Sequence, residues 1–306
     1  MKLNGIHHIT AITGDAQVNL DFYVGLLGLR FVKKTINFDA PDVYHLYYGD
    51  DVGRPGSILT FFEFPSAAHG SHAAGMIHRI IWRVPSADSI DFWAARLSGA
   101  GVDFERTEAG LVFSDPEGLG LELVVDERDE PLTAAQPDIP PEHALTGFQG
   151  VRAFASGPGA STGLLTETLG FEGSDESHFT LTRESRRATY VYDAPTGGRG
   201  VQGAGTVHHI AWACRTGDHE AWRRRVVDAG MEVTPIIDRQ YFHSIYFREP
   251  SGVLFEIATS DPGFTIDEDA AHLGEDLKLP PQYEPMRSIL ERKLTPLRDP
   301  RTPVAP

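Results

Sequence analysis

The apolar and polar positions of the chain fall into a unit that recurs four times. Each copy opens with a strand-like run of β-branched and small residues and passes through a short polar loop into an amphipathic helix. It then turns at a glycine and ends in several further strands. In the first copy "HHITAITGD" leads to "VNLDFYVGLLGLRFV", where Leu20, Tyr23, Val24 and Leu27 keep helical spacing and Gly28 ends it. In the third, "GFQGVRAFAS" leads to "TGLLTETLGFEGS", with Gly170 in the matching place. The second and fourth copies are more alike than neighbours are. "IHRIIWRVPSADSIDFWAARLSGAGVDF" lies against "VHHIAWACRTGDHEAWRRRVVDAGMEV", which aligns Trp82 with Trp212, Trp93 with Trp222 and Gly101 with Gly230. Their closing strands, "SDPEGLGLELVV" and "REPSGVLFEIAT", each carry a glutamate four residues after a turn glycine.

An order of types one, two, one, two predicts a duplicated pair. The pattern therefore gives an α+β chain of four repeated units in two similar domains, residues 1–128 and 147–262. Residues 129–146, "DEPLTAAQPDIPPEHALT", are rich in proline and acid, lack a periodic apolar face and read as a linker. Residues 263–306 form a polar tail with at most one short helix and a proline-rich end.

Composition narrows the function classes. A chain of 306 residues with 41% hydrophobic content can bury the cores of two ordinary domains. It has no apolar run long enough to span a membrane, and the N-terminus lacks the layout of a signal peptide, so a cytoplasmic location and no membrane partner are the default expectations. The single cysteine, Cys214, cannot form an internal disulfide. A formal net charge of −16 argues against a nucleic-acid partner. A homo-oligomer is compatible with the sequence, which does not set the oligomeric state.

Tandem βαβββ units with this layout, to about residue 260, resemble the vicinal oxygen chelate superfamily, which includes glyoxalases, bleomycin-resistance proteins and extradiol ring-cleavage dioxygenases. The resemblance implies half-open sheets, each around a cupped cavity, with metal ligands projecting inward from the first and last strands of units. "GIHHITA" at residues 5–11 and "GTVHHIA" at residues 205–211 place a histidine pair on two first strands. Side chains alternate across a strand, so one histidine of each pair is expected to enter the cup. The second of each pair, His8 and His209, precedes isoleucine and then small residues that suit a cup interior. The same position is Arg79 in the second module and about Gly150 in the third, neither of which ligates a divalent metal. On the closing strands Glu256 has its histidine in the fourth module, whereas Glu122 lacks one in the second and is expected to be structural.

His8, His209 and Glu256 make two imidazoles and one carboxylate, the facial set of non-haem Fe(II) oxygenases. The expected cofactor is Fe(II), and Mn(II) suits the same ligands. A buried glutamate inside "VLFEIAT" would be costly without such a partner. One ligand from the first unit and two from the last resembles the hydroquinone-type ring-cleaving dioxygenases. By that resemblance Arg239, Tyr246, His7 and His208 are expected to line the pocket in catalytic roles, with His243 in substrate binding, and a small aromatic diol and O2 are the expected partners. Two alternatives use the same fold: a glyoxalase-type metal-dependent lyase or isomerase, which typically needs a fourth protein ligand, and a metal-free small-molecule-binding resistance protein, which has no need of the three ligands.

Overall fold

The computed structural model describes residues 1–182 and 186–301. Each sequence unit folds as a strand, a helical segment and three strands. The first comprises β1 (Ile6–Thr13), α1 (Ala16–Leu20, continuing as π-helix over Asp21–Leu26), β2 (Arg30–Asn37), β3 (Ala40–Gly49) and β4 (Ile58–Glu63). The second comprises β5 (Met76–Val84), α2 (Ala87–Gly99), β6 (Phe104–Arg106), β7 (Gly110–Ser114) and β8 (Gly120–Val125). The third has β9 (Phe148–Phe154), a π-helical segment (Leu164–Leu169), β10 (Glu172–Gly173), β11 (His178–Thr182) and β12 (Arg187–Asp193). The fourth has β13 (Thr206–Cys214), α3 (His219–Asp228), β14 (Ile237–Asp238), β15 (His243–Arg248) and β16 (Leu254–Thr259). The Asp15 carboxylate accepts from the Gln17 and Val18 amides and starts α1, and the Ser86 hydroxyl accepts from Ser89 and starts α2. Gly28, Gly101, Gly170 and Gly230, which follow the four helical segments, all take positive φ between 71° and 87°, where a Cβ is disfavoured.

The strands form two eight-stranded sheets, ordered β14-β15-β16-β13-β1-β4-β3-β2 and β10-β11-β12-β9-β5-β8-β7-β6. The α+β class and the four modules are as the sequence predicts, but each sheet is shared between the two halves of the chain. The first module joins the fourth through antiparallel β1 and β13, and the second joins the third through antiparallel β5 and β9. This pairing gives the opening strand of every module two neighbours and leaves no open edge in the middle of either sheet. It also brings "GIHHITA" and "GTVHHIA" side by side.

The main core draws on both sheets and on the helices, including Leu20, Trp93, Leu97, Leu165 and Trp222. All four tryptophans are fully buried. A second, smaller cluster of Val32, Tyr47, Ile58, Ala211, Tyr241, Phe242, Ala258, Phe264 and Leu273 lies on the other face of the first sheet. Two of its members, Phe264 and Leu273, come from the polar tail, which straps across the first module. There the buried Lys33 ammonium meets Asp267 at 2.7 Å and Glu268 at 2.6 Å. Leu277 bridges to Lys34 on the outer strand β2, and α4 (Arg287–Lys293), the one α-helix among the described residues of the tail, sets Leu290 into the main core. Among the described residues no helix is long and apolar enough to cross a membrane.

Candidate metal centre

Three adjacent strands deliver the three donors. Ala211 on β13 is the register partner of both His8 on β1 and Glu256 on β16, and His209 stands two residues before it. His8 Nε2 and His209 Nε2 are 3.2 Å apart, and Glu256 Oε2 lies 2.9 Å from the latter and 3.3 Å from the former. All three residues are buried. Among the described residues they are the one group of three or more His, Cys, Asp or Glu whose donor atoms converge in this way.

The first histidine of each pair is placed by a β-bulge. Between β1 and β13 the register skips one residue between Ile6 and His8 and one between Thr10 and Ala11, so His7 and His208 are the extra residues. Strict alternation would send the two imidazoles of each pair to opposite faces. The bulges instead bring them together, with Nδ1 of His7 2.9 Å from Nδ1 of His8, and Nδ1 of His208 2.8 Å from Nδ1 of His209. The second member of each pair, His8 and His209, is the one that converges with Glu256, and the first lies beside it rather than on the opposite face.

The electrostatics agree with this arrangement. Burial, reinforced by the adjacent imidazole, lowers both His7 and His208 to about 3, so both are neutral near pH 7. A neutral ring can accept at Nδ1. If the ligand rings donate from their own Nδ1, a tautomer assigned from this network, their Nε2 lone pairs point into the triangle. Burial pushes the Glu256 carboxyl up, but the imidazoles of His8 and His209 outweigh it and hold the group well below the usual carboxylate range. Its Oε1 accepts from the Ser244 hydroxyl, while the buried Oε2 accepts no well-aligned hydrogen bond. With the ligand rings in that tautomer three lone-pair donors converge, and a cation between them would supply the positive charge that Glu256 otherwise draws from the two imidazoles. Their spacing of 2.9 to 3.3 Å fits the separation of about 3 Å between neighbouring ligands of a six-coordinate ion with bonds near 2.1 Å.

Above the triad lies a cavity of about 300 Å³. Tyr246 is the register partner of Glu256, and its ring packs edge-on against His209 with centroids 5.7 Å apart. Arg239 lines the same wall. Its Nε donates to the Tyr246 hydroxyl at 3.2 Å, and its Nη1 lies 3.1 Å from Asp39. Burial, with the Glu256 charge, keeps the Tyr246 phenol protonated far above neutral pH, although Arg239 opposes the shift. His208 also lines the cavity, whereas His7 does not: it is buried against Phe242 and meets the site at His8 Nδ1.

His243 is not brought to the cavity. Ser244 and Tyr246 share the face that carries Glu256, so His243 takes the opposite side of β15, the side on which Ile245 and Phe247 enter the main core. The assignment of His243 to the substrate pocket is corrected by that parity. Sequence reasoning passed over His45, Tyr47 and Thr10, which line the cavity from β3 and β1. The alternation of His45 and Tyr47 within "VYHLYYG" was a legible signal, but nothing in the chain tied that strand to the distant histidine pairs.

The second sheet carries the same frame without the chemistry. Its register skips His78 and Gln149, the counterparts of His208 and His7. Arg79 stands where His209 would and meets Glu122 at 3.2 Å, so a guanidinium supplies the positive charge that Glu122 needs. At Gly150, the counterpart of His8, a Cβ would fall 2.2 Å from the Thr189 carbonyl oxygen, and no imidazole can be held there.

Comparison with known proteins agrees with this reading of the modules. The model of the "Glyoxalase/Bleomycin resistance protein/Dioxygenase superfamily" matches residues 5–123 and 147–257. The chain is 42% identical to the "Putative ring-cleaving dioxygenase MhqO" of Bacillus subtilis, covering 96% of this chain and 97% of that protein. It is 32% identical to the chlorohydroquinone/hydroquinone 1,2-dioxygenase of Sphingobium indicum, covering 96% of each. A crystal structure of a "putative dioxygenase" from Bacillus subtilis superposes with a TM-score of 0.92 at 41% identity, covering 98% of this chain and 99% of that one. With four βαβββ modules and full-length relatives at this identity, the chain belongs to the glyoxalase/bleomycin resistance protein/dioxygenase superfamily.

Proposed function

We propose that the protein is a metal-dependent dioxygenase that opens the ring of a hydroquinone or a closely related dihydroxylated aromatic with O2. The observation that carries this reading is the buried His8, His209 and Glu256 triangle, three donors with no fourth His, Cys, Asp or Glu among the described residues, under a cavity walled by Phe62, Phe64, Phe242 and Leu254. Held there, Fe(II), or Mn(II) with the same ligand preferences, would offer open positions to a ring hydroxyl and to O2 and would relay an electron between them. The relatives' names point to the same chemistry.

The chain's own residues would bind and handle protons. A cavity of about 300 Å³ is twice the roughly 150 Å³ apolar space that accommodates benzene, so it suits one substituted ring. Its aromatic walls would exclude water and stack the substrate. Arg239 holds the Tyr246 hydroxyl in a fixed direction, and that phenol, still protonated at neutral pH, would donate to oxygen as negative charge develops. His208, neutral, facing the cavity and with Nδ1 committed to His209, would present its Nε2–H as a donor on the other side of His209. A glyoxalase-type reaction is less well served, because among the described residues no second carboxylate joins the triad.

Anaerobic loading with Fe(II), followed by an oxygen-electrode screen of hydroquinones, catechols and an α-ketoaldehyde with thiol, tests the reading. Oxygen uptake with a hydroquinone is expected. Turnover of the ketoaldehyde without oxygen, or no metal retained at all, would sink it.

A further inference from the structure

The wall opposite Arg239 and Tyr246 holds a second polar network that the reading above does not use. His209, Thr10, Thr60 and Tyr47 are successive register partners on β13, β1, β4 and β3, and they stand in one row across the cavity face of the sheet. His45, two residues before Tyr47 on β3, shares that face. Tyr47 Oη lies 2.9 Å from His45 Nδ1, His45 Nε2 lies 2.9 Å from Thr60 Oγ1, and the Thr60 hydroxyl donates to Thr10 Oγ1 at 2.9 Å.

The last bond orders the others. Because Thr60 spends its one proton on Thr10, its oxygen must accept from His45, which places the ring proton on Nε2. Nδ1 then carries the lone pair and accepts from the Tyr47 hydroxyl. Every bond runs the same way, from Tyr47 through His45 and Thr60 to Thr10. The two ends open into the cavity: the Tyr47 oxygen keeps a free lone pair, and the Thr10 hydroxyl keeps a proton with no acceptor given to it by this network. Thr10 and Thr60 are fully buried and Tyr47 nearly so; polar groups set this deep are costly unless hydrogen-bonded, and the network leaves only the Tyr47 lone pair and the Thr10 proton, at its two ends, for a polar ligand to satisfy.

We infer that Tyr47, His45, Thr60 and Thr10 form a proton path, which takes the proton of a substrate hydroxyl remote from the metal and delivers one to the cavity beside His8 and His209. The inference rests on the hydroquinone reading, since a para-diol has such a second hydroxyl. In the transfer the substrate O–H breaks and its proton bonds to the Tyr47 oxygen. The Tyr47 proton moves to His45 Nδ1, the His45 Nε2 proton to Thr60, the Thr60 proton to Thr10, and the Thr10 proton to an oxygen in the cavity. The electron pair of the broken bond stays on the substrate oxygen, and no group changes oxidation state. His45 ends as the other neutral tautomer and resets by the reverse movement once product leaves.

Thr60→Val tests the path, because Thr60 touches no ligand and the change nearly conserves volume. With the Fe(II)-loaded enzyme and a hydroquinone, kcat is expected to fall by about a hundredfold while KM moves little, the solvent deuterium isotope effect on kcat is expected to rise, and Thr60→Ser is expected to restore both. Tyr47→Phe, which keeps the ring, should show the same split. The 15N shifts of His45 in the full-length protein, without metal and with Zn(II), give a readout independent of turnover, and a proton on Nε2 is expected. Unchanged kcat and isotope effect in both variants, or a proton residing on Nδ1, overturns the path. If the wild type takes up no oxygen with any hydroquinone, it is the functional reading that fails, and the His45 tautomer still decides whether the path exists.

Discussion

Binding of a divalent ion should raise the thermal stability of the metal-free protein by an amount the triad allows one to bound. The donors already lie 2.9 to 3.3 Å apart and are buried, so little rearrangement opposes binding, and nothing comparable exists in the unfolded chain. An ion at about one hundred times its dissociation constant then adds about 2.7 kcal/mol. In a chain of this length each kcal/mol moves the midpoint by about 2 °C, so a rise of about 5 °C is expected. The assay is a calorimetric or fluorescence melt after exhaustive chelation, repeated with anaerobic Fe(II) and with Mn(II). His209→Ala and Glu256→Gln should each abolish the rise, the first by removing a donor and the second by removing the negative charge. Glu122→Gln should leave it intact, because Arg79 occupies the counterpart position. No rise with either ion, or a rise that survives Glu256→Gln but not Glu122→Gln, refutes the assignment.

Three further outcomes follow from the same packing. His7 titrates near 3 when folded and near 6.5 when unfolded, so the folded state binds fewer protons and the contribution, intact above pH 6.5, is lost as pH falls. At pH 5 the metal-free protein should be less stable than at pH 8 by about 2 kcal/mol from this residue, with His208 acting in the same direction; urea melts of the wild type and His7→Gln at both pH values check it, and equal slopes for the two proteins refute it. His7→Phe keeps the packing against Phe242 but cannot accept from His8, so metal affinity in a chelator competition should drop about 10- to 100-fold. Lys33→Met strands the Glu268 carboxylate, whose side chain is 3% exposed, and should cost about 3 to 5 kcal/mol in a denaturant melt. The double change Lys33→Met with Glu268→Gln should recover most of that loss, and no recovery would argue against the ion pair as its source.

Much of the site was legible in the chain because it is written in repeats. Aligning the four modules exposed the two His-His pairs and the two glutamates, and elimination at Arg79 and Gly150 left His8, His209 and Glu256, the group that the fold brings together. The four modules were equally legible, since helix spacing and the glycines after each helix are local properties. His243 was misassigned because its neighbours suggested a proton-handling strand, while which of those residues face the cavity depends on register with β16.

By itself, then, the sequence determined the α+β class, the four modules, the residues able to hold a metal and the one glutamate without a histidine. Those follow from periodicity and side-chain chemistry, which act over a few residues. Only the tertiary structure decided that the first module joins the fourth, since strand pairing across two hundred residues leaves no local trace. It decided the bulges that turn His7 and His208 toward their neighbours, because a bulge is a mismatch between two strands and belongs to neither alone. It also set Tyr47, His45, Thr60 and Thr10 in one chain, and it folded the polar tail over Lys33. Each of these is a contact between segments whose own patterns were already satisfied.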